Sequence, residues 1–539
     1  MIRYILLSLC ILYNLTTFAS DGYMFRIQLK DKGQTTYSID KPEEFLSKRA
    51  IERRQRQHIS INETDIPISS TYINIIENLG CNVVARSKWL STVSIYCIDS
   101  SFVDKVKELD FVSNATFVWK GDTTNTATKD IARSKRTVIK SESEYGYGED
   151  QIRTVNGQFL HKEGYRGKGL EIAVIDAGFR NLNELLLLDN ISIKGFKDFV
   201  FNGDDIFKSS DHGLKVLSVM AANRPNIFIG TAPEAKYWLL RSEDSRSEFP
   251  IEEDYWAAAA EYADSIGVDI INASLGYHTF HAPAQSYTHE QLDGKTAYIT
   301  QAAEIAASKG IFVEISAGNE GSNSWKKIAF PADADNVLTV GAIARDSTIA
   351  YFSSVGPTAD GRIKPDVVAV GLSTAVVASS GEVEPAQGTS FSGPIMSGLA
   401  ACLWQSAPNL TSLELLDIIR KSGNRYNNPD NYYGYGIPNM KTAFLLAGNT
   451  PTGIEEEAMN NEPLFDIKSD SIGHFRVFRN RESSNSTYTI KVINLDGKII
   501  LTDTLSEQEQ DFRLHDSSKQ VRIITITGTG VKESYKIIF

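Results

Sequence analysis

Cysteine is scarce: four residues in 539, at Cys10, Cys81, Cys97 and Cys402. A disulfide scaffold is thereby excluded for the body of the chain, whose stability must come from a buried apolar core. Cys81 and Cys97 could pair with each other, which sequence leaves open, and Cys402 falls in a helical pattern and reads as a small buried hydrophobe. Long apolar runs are lacking after residue 20, so no membrane span is expected. Excess positive charge is lacking too. With a formal net charge of −12, a nucleic-acid partner, which needs a concentrated basic face, is excluded. The one basic cluster, Lys48 to Arg56, is interleaved with glutamate and reads as the solvated face of a helix. No His-Glu-x-x-His and no His/Cys/Asp cluster at catalytic-zinc spacing occurs, and there is no internal repeat.

What is present divides into several units, as 539 residues require. Residues 1–20 combine Arg3, a short apolar run and a small-residue exit near Ala19 and Ser20, the pattern of a secretion signal. Export to the extracellular space or outer cell surface follows. Residues 21–140 read as a small α+β module with strands at Tyr23–Leu29, Val93–Tyr96 and Asn114–Val118 and a helix from Pro42 through Arg56. An exposed linker follows, carrying Lys129, Arg133, Lys135 and Arg136. In residues 141–448 short apolar strands (Leu170–Ile175, Ala235–Leu240, Val268–Asn272, Ile311–Ile315, Val337–Val340) alternate with helices (His212–Ala222, Glu252–Ser265, Thr296–Ser308, Ser392–Gln405). That alternation predicts an α/β fold, a mostly parallel sheet with helices on both faces and chemistry beyond the carboxyl ends of its strands. Residues 449–463 are a polar, acidic linker. Residues 464–539 hold strands separated by turns, with a hairpin signal at Asn494-Leu495-Asp496-Gly497, and read as a β-sandwich.

Four residues of the α/β unit stand where such chemistry would be. Asp176 follows the first apolar strand, although alone it reads as well as an Asx-turn. His212 opens a helix behind Ser210 and Asp211, either of which can cap it, and is the best placed of the histidines for general-base work. Asn319, in a glycine-rich turn after a strand, either tolerates left-handed geometry or points its amide at an oxyanion. Ser390, in Gly388-Thr389-Ser390-Phe391-Ser392-Gly393-Pro394, is either a helix cap or a nucleophile. A serine hydroxyl needs a base, the base needs a partner that fixes its tautomer, and a tetrahedral intermediate needs donors. The four together meet those needs.

The blocks Asp176-Ala177-Gly178, His212-Gly213, Asn272-Ala273-Ser274-Leu275-Gly276, Ser316-Ala317-Gly318-Asn319-Glu320-Gly321 and Gly388 to Pro394 resemble, in order, the signatures of the subtilisin-like serine peptidases, over roughly residues 150 to 447. The resemblance implies a secreted serine endopeptidase acting on peptide or protein substrates through an acyl-enzyme. In it Asp176 orients His212, His212 is base and acid, Ser390 attacks, and Asn319 with the Ser390 N–H forms the oxyanion hole. Ser274, Leu275 and Gly276 would pair with the substrate and line one side of the first specificity pocket, and Phe330-Pro331 matches an aromatic–proline pair commonly joined by a cis bond. Two blocks depart from the family pattern: Ala177 stands where Thr or Ser is usual, and Phe391 and Ser392 stand where Met and Ala are usual. Neither departure deletes a role. The alternative is a catalytically silent fold serving as a secreted or surface binding protein.

The flanking modules fit the same resemblance. The first is similar to the prosegments of secreted peptidases, which implies an intramolecular inhibitor removed near the basic linker. The last is similar to the C-terminal sorting domains of the type IX system of Bacteroidota, implying contact with secretion machinery. It lacks the Gly-rich turn usual before the penultimate strand, and an adhesive or peptide-binding β module is the alternative. No cofactor is required for the chemistry. A structural calcium is left open at Asn202-Gly203-Asp204-Asp205 and Asp333-Ala334-Asp335-Asn336. The loop Tyr277–Lys295 is expected to shape the cleft rim. Because the stretch before Phe330 offers no acid for the pocket base, an apolar or mixed first-pocket preference is expected.

Overall fold

The computed structural model describes residues 22–121, 143–203, 205–450 and, towards the C-terminus, 465–471, 473–479, 487–494, 498–514, 521–528 and 531–538. The secretion signal, nearly all of the basic linker and most of the acidic one lie outside the described residues. Two compact units divide between Thr452 and Gly453.

In the first unit, residues 22–121 form an antiparallel sheet ordered Asn82–Ser87, Thr92–Cys97, Tyr23–Leu29, Val112–Lys120. The helix expected from Pro42 through Arg56 is instead a 3-10 turn, Pro42–Glu44, and an α-helix, Lys48–Arg56. Ser47 separates them because it is extended and accepts a hydrogen bond from the Ala50 N–H, which makes it an N-cap. That helix is not a solvated basic face. Arg53 and Arg54 are each 1% exposed. Arg53 pairs with Asp264, and Arg54 bridges Asp264 (2.8 Å) and Asp65 (3.1 Å). Asp264 lies more than 200 residues onward, so composition around Lys48 could not show that the helix docks. Cys81 and Cys97 are buried free thiols whose sulfurs are 3.1 Å apart. Cys402 is fully buried, and burial pushes its thiol pKa up, away from reactivity.

The α/β part is built on a seven-stranded, wholly parallel sheet ordered Val367–Val370, Leu338–Ile343, Phe312–Ser316, Ile270–Ala273, Glu171–Asp176, Lys236–Arg241, Ser192–Asp198. Its strands are apolar on both sides because each face is covered. Ile172 and Val174 pack towards helices His212–Ala221 and Thr389–Ser406, while Ala173 and Ile175 pack towards Ile251–Ile266 and Tyr298–Ser308. The chain runs outwards from Glu171–Asp176 in one direction and then returns to continue in the other. Strand order therefore reverses between Glu171–Asp176 and Ile270–Ala273, where Ile175 is level with Ala273. The carboxyl ends of these two strands open a crevice at the switch point.

The second unit has a three-stranded antiparallel sheet (Phe465–Ser471, His474–Arg479, Glu509–Arg513) and a four-stranded one ordered Ile499–Leu505, Tyr488–Ile493, Val521–Gly528, Val531–Ile538. Phe465, Phe475, Val477 and Phe512 of one sheet share a core with Tyr488, Ile490, Val492 and Ile524 of the other. Leu495 to Gly497 lie outside the described residues. The strands on either side of them pair antiparallel, with Lys498 N–H donating to Asn494 Oδ1 at 2.8 Å.

Candidate active site

Asp176 ends the interior strand Glu171–Asp176 with its side chain fully buried. Its Oδ1 accepts from the Ala177 N–H at 2.7 Å and lies 2.8 Å from His212 Nδ1. The other carboxylate oxygen, Oδ2, is buried without a partner, and Ala177 has no hydroxyl to offer it. His212 is the first residue of its helix. Ser210, not Asp211, makes the cap: its Oγ accepts from the His212 N–H at 3.1 Å. Gly213 lets the helix start this close to the carboxylate, since a Cβ there would stand 2.6 Å from the Gly178 carbonyl and 2.9 Å from Asp176 Cβ.

Burial disfavours the imidazolium of His212. The contact with Asp176, joined by the charges of Glu243 and Asp211, outweighs it and lifts the pKa to about 9.

Ser390 is the second residue of the Thr389–Ser406 helix and is 7% exposed. Its hydroxyl donates to the Ser274 carbonyl at 3.4 Å, and Ser274 Oγ donates to the Ser390 carbonyl at 3.1 Å. The Ser390 N–H lies in the first helical turn, where no intrahelical acceptor exists. Asn319 holds the same turn: its Oδ1 accepts from the Thr389 N–H (2.9 Å) and hydroxyl (3.1 Å), which leaves the amide nitrogen as its free donor group. Ser316 Oγ adds a bond to the Thr389 carbonyl at 2.9 Å. Phe391, one of the two departures, packs near the His212 ring, with centroids 5.9 Å apart.

The structure brings His212, Ser274, Leu275, Gly276, Asn319 and Ser390 to the walls of one cleft of about 240 Å³, with Asp176 behind His212. Ser274 and Leu275 are buried while Gly276 is exposed along the cleft edge. The Phe330–Pro331 bond is cis. The backbone of the loop beginning at Tyr277 pairs with Phe330, and Tyr277 itself lines the cleft. This collection can do nucleophilic chemistry at a carbonyl: a hydroxyl, an imidazole oriented by a carboxylate, and a side-chain amide and a backbone N–H on residues lining one cleft.

Residue-by-residue motif reading missed Glu243, Glu248 and Glu314. The first two line the cleft, and a signal for them existed: residues 243–254 hold six carboxylates just after a strand. Glu314 is fully buried under the Thr389–Ser406 helix. Its Oε2 accepts from Ser397 Oγ at 3.2 Å, and burial pushes its pKa far up.

Residues 167–436, half of the chain, match the family model described as "Subtilase family". The chain belongs to the subtilase family. It is accordingly a serine peptidase of that family, and subtilase chemistry needs no cofactor. Residues 24–136 match a second model, described as "Peptidase S8 propeptide domain, Bacteroidota". Among curated subtilases, the chain is 30% identical over 343 residues to Serine protease AprX of Bacillus subtilis (strain 168), covering 58% of this chain and 73% of that one. It is 30% identical over 300 residues to Subtilisin NAT of Bacillus subtilis subsp. natto, covering 55% and 70%. To Subtilisin of Bacillus pumilus it is 29% identical over 300 residues, covering 55% and 98%.

In this subtilase the propeptide region is seated on the peptidase. Arg26 pairs with Asp254 at 2.6 Å and lies over the ring of Tyr298, while Glu261 accepts from Ser87 Oγ (2.6 Å) and from the Lys88 and Trp89 N–H groups (3.0 Å each).

Proposed function

We propose that the protein is an exported serine endopeptidase made as a zymogen, in which Asp176, His212 and Ser390 act as the triad and Asn319 as an oxyanion donor. One observation carries the reading: His212 Nδ1 is 2.8 Å from buried Asp176 Oδ1 at the switch point, on a cleft that also holds Ser390. Asp176 fixes the tautomer with the proton on Nδ1, leaving Nε2 to take the Ser390 proton. The Ser390 hydroxyl bonds to the Ser274 carbonyl on the substrate edge, and a peptide drawn in along Ser274–Gly276 releases it towards His212. Catalytic hydrogen bonds commonly tighten only in the complex. Ser390 Oγ then bonds to the scissile carbonyl carbon, the carbonyl oxygen takes the negative charge facing Asn319 Nδ2 and the Ser390 N–H, and His212 returns its proton to the leaving amine. Water repeats the sequence on the acyl-enzyme.

Residues 21–140 act as inhibitor and folding partner, residues 1–20 direct export, and the C-terminal sandwich engages secretion machinery as a sorting domain. No calcium is proposed at the two loops named for it. Both Asp333 carboxylate oxygens already accept, from the Gly294 N–H (2.8 Å) and Thr300 Oγ1 (2.7 Å), and Asp335 Oδ1 lies 3.8 Å from Arg362. In the other loop Asp205 accepts from the Phe207 N–H, and Asp204 lies outside the described residues. Among the described residues no cluster of carboxylates, histidines or cysteines is set to hold a metal.

Ser390→Ala tests the reading. Turnover of a quenched peptide should vanish while far-UV circular dichroism and melting stay near wild type. Undiminished hydrolysis by the folded, purified variant would refute it.

A further inference from the structure

Glu243 and Glu248 line the cleft together with His212, Ser274 and Tyr277. Among the described residues neither carboxylate has an ion-pair partner, and the nearby arginines are committed elsewhere: Arg241 to Asp198, Arg246 to Asp244, Arg26 to Glu253 and Asp254. Glu252 belongs to the same group, 1% exposed, and faces the hydroxyl of Tyr277, which lowers its pKa against the effect of burial. Tyr277 is itself a cleft residue, 2% exposed. Burial first pushes Glu243 and Glu248 up to about 7 and Glu252 well above the carboxylate range; the charges of Asp176 and Asp244 add to the effect at Glu243, that of Glu243 at Glu248, and those of Glu243 and Glu248 at Glu252. Buried acids in that state are relieved by a cation. Glu320, another cleft residue, differs, being bonded to Asn323 and 3.4 Å from His278.

We propose that Glu243 and Glu248, backed by Glu252 and Tyr277, form a recognition site for a lysine or arginine side chain of the substrate, on the acyl side of the scissile bond. The inference rests on the reading of Ser390 as nucleophile and Ser274–Gly276 as the substrate edge, since Tyr277 continues that edge. A cationic side chain reaching these carboxylates exchanges their mutual repulsion for charge-assisted hydrogen bonds. The chain carries such a segment of its own. Phe117 packs edge-on against Phe249, next to Glu248, and Val118 shares that apolar cluster, so the prosegment's last strand ends beside the acids. The sequence after it supplies Lys129, Arg133, Lys135, Arg136 and Lys140. The first self-substrate and later substrates would be chosen by the same charge. This site is separate from the apolar or mixed first-pocket preference expected from the stretch before Phe330, because the acids come from a different strand end.

The test uses the processed enzyme and internally quenched peptides identical except for lysine or norleucine at each of the four positions preceding the cut. At one position lysine should raise kcat/KM by about tenfold or more. That ratio should fall to near one in Glu243→Gln/Glu248→Gln, and part of the way in Glu248→Gln alone should the double variant melt early. Salt should weaken the ratio in wild type only. Cleavage without a lysine preference, or a preference that survives in the variants, overturns this inference alone. Failure of wild type to cut any peptide overturns the peptidase reading and this inference with it.

Discussion

Asn319 Oδ1 receives both the N–H and the hydroxyl of Thr389, the residue immediately before Ser390, at 2.9 and 3.1 Å. The Asn319 oxygen ties a strand end to the head of the Thr389–Ser406 helix, and on the proposed reading its nitrogen is the donor for the cleft. The two effects separate experimentally. Asn319→Leu should lower kcat by about 10²–10³ with little change in KM. Asn319→Asp keeps an acceptor for Thr389 but removes the donor, and should lose as much kcat while melting near wild type. A near-normal kcat for Asn319→Asp would return the residue to a purely structural role.

The raised pKa of His212, about 9, sets the pH dependence. Only neutral imidazole can accept the Ser390 proton, so kcat/KM should rise with pH and level off above about 9. Glu243 is one of the charges that holds the imidazolium, so Glu243→Gln should move the rising limb to lower pH. A profile of kcat/KM between about pH 6 and 11, on a peptide without basic residues, reads both. A limb that stays put or moves to higher pH in the variant argues against the assigned coupling.

Prosegment docking depends on buried charge. Arg53 and Arg54 both reach Asp264 of the peptidase, and Arg54 also reaches Asp65 within the prosegment. Removing one member of a buried network strands the others, at about 3–5 kcal/mol. In full-length Ser390→Ala protein, Asp264→Asn should lower Tm by several degrees and hasten tryptic cutting of residues 22–121. Double replacement of Arg53 and Arg54 by methionine with Asp264→Leu should recover part of the loss. Equal Tm for Asp264→Asn and its parent would show that the apolar contacts suffice for docking.

Gly393 leaves room for Glu314. A Cβ at 393 would stand 2.2 Å from Glu314 Oε1 and 2.9 Å from Ser316 Oγ, directly under the turn that carries Ser390. Gly393→Ala should therefore displace that turn and cut kcat by at least about tenfold, and Glu314→Ala in the same chain should restore much of it. A double-mutant cycle with additive losses would separate the two residues.

The candidate triad and the seven-stranded sheet were legible in the chain to different degrees. Asp176, His212, Asn319 and Ser390 each sit at a strand end or helix start, and such boundaries are written locally, in apolar runs closed by Gly, Ser or Asn. The strands Ser192–Asp198 and Val367–Val370 were not expected. The first is an edge strand with exposed Ile193 and Phe196, whose apolar run is broken by Lys194, Gly195 and Lys197, and the second is only four residues long. The break at Ser47 was missed because a continuous polar helix pattern hides a cap that only backbone geometry reveals.

By itself the sequence determined the order of the units, the period of the α/β part and the residue types needed for acyl transfer, because each depends on neighbours a few positions away. Tertiary structure alone decided where unlike segments meet. It set the basic helix Lys48–Arg56 against Asp264, placed Glu314 beneath Gly393, and brought Glu243 and Glu248 into the cleft beside Ser390. Charge pairing and burial act through space at a few ångströms, and the partners here are separated by some 80 to 210 positions along the chain.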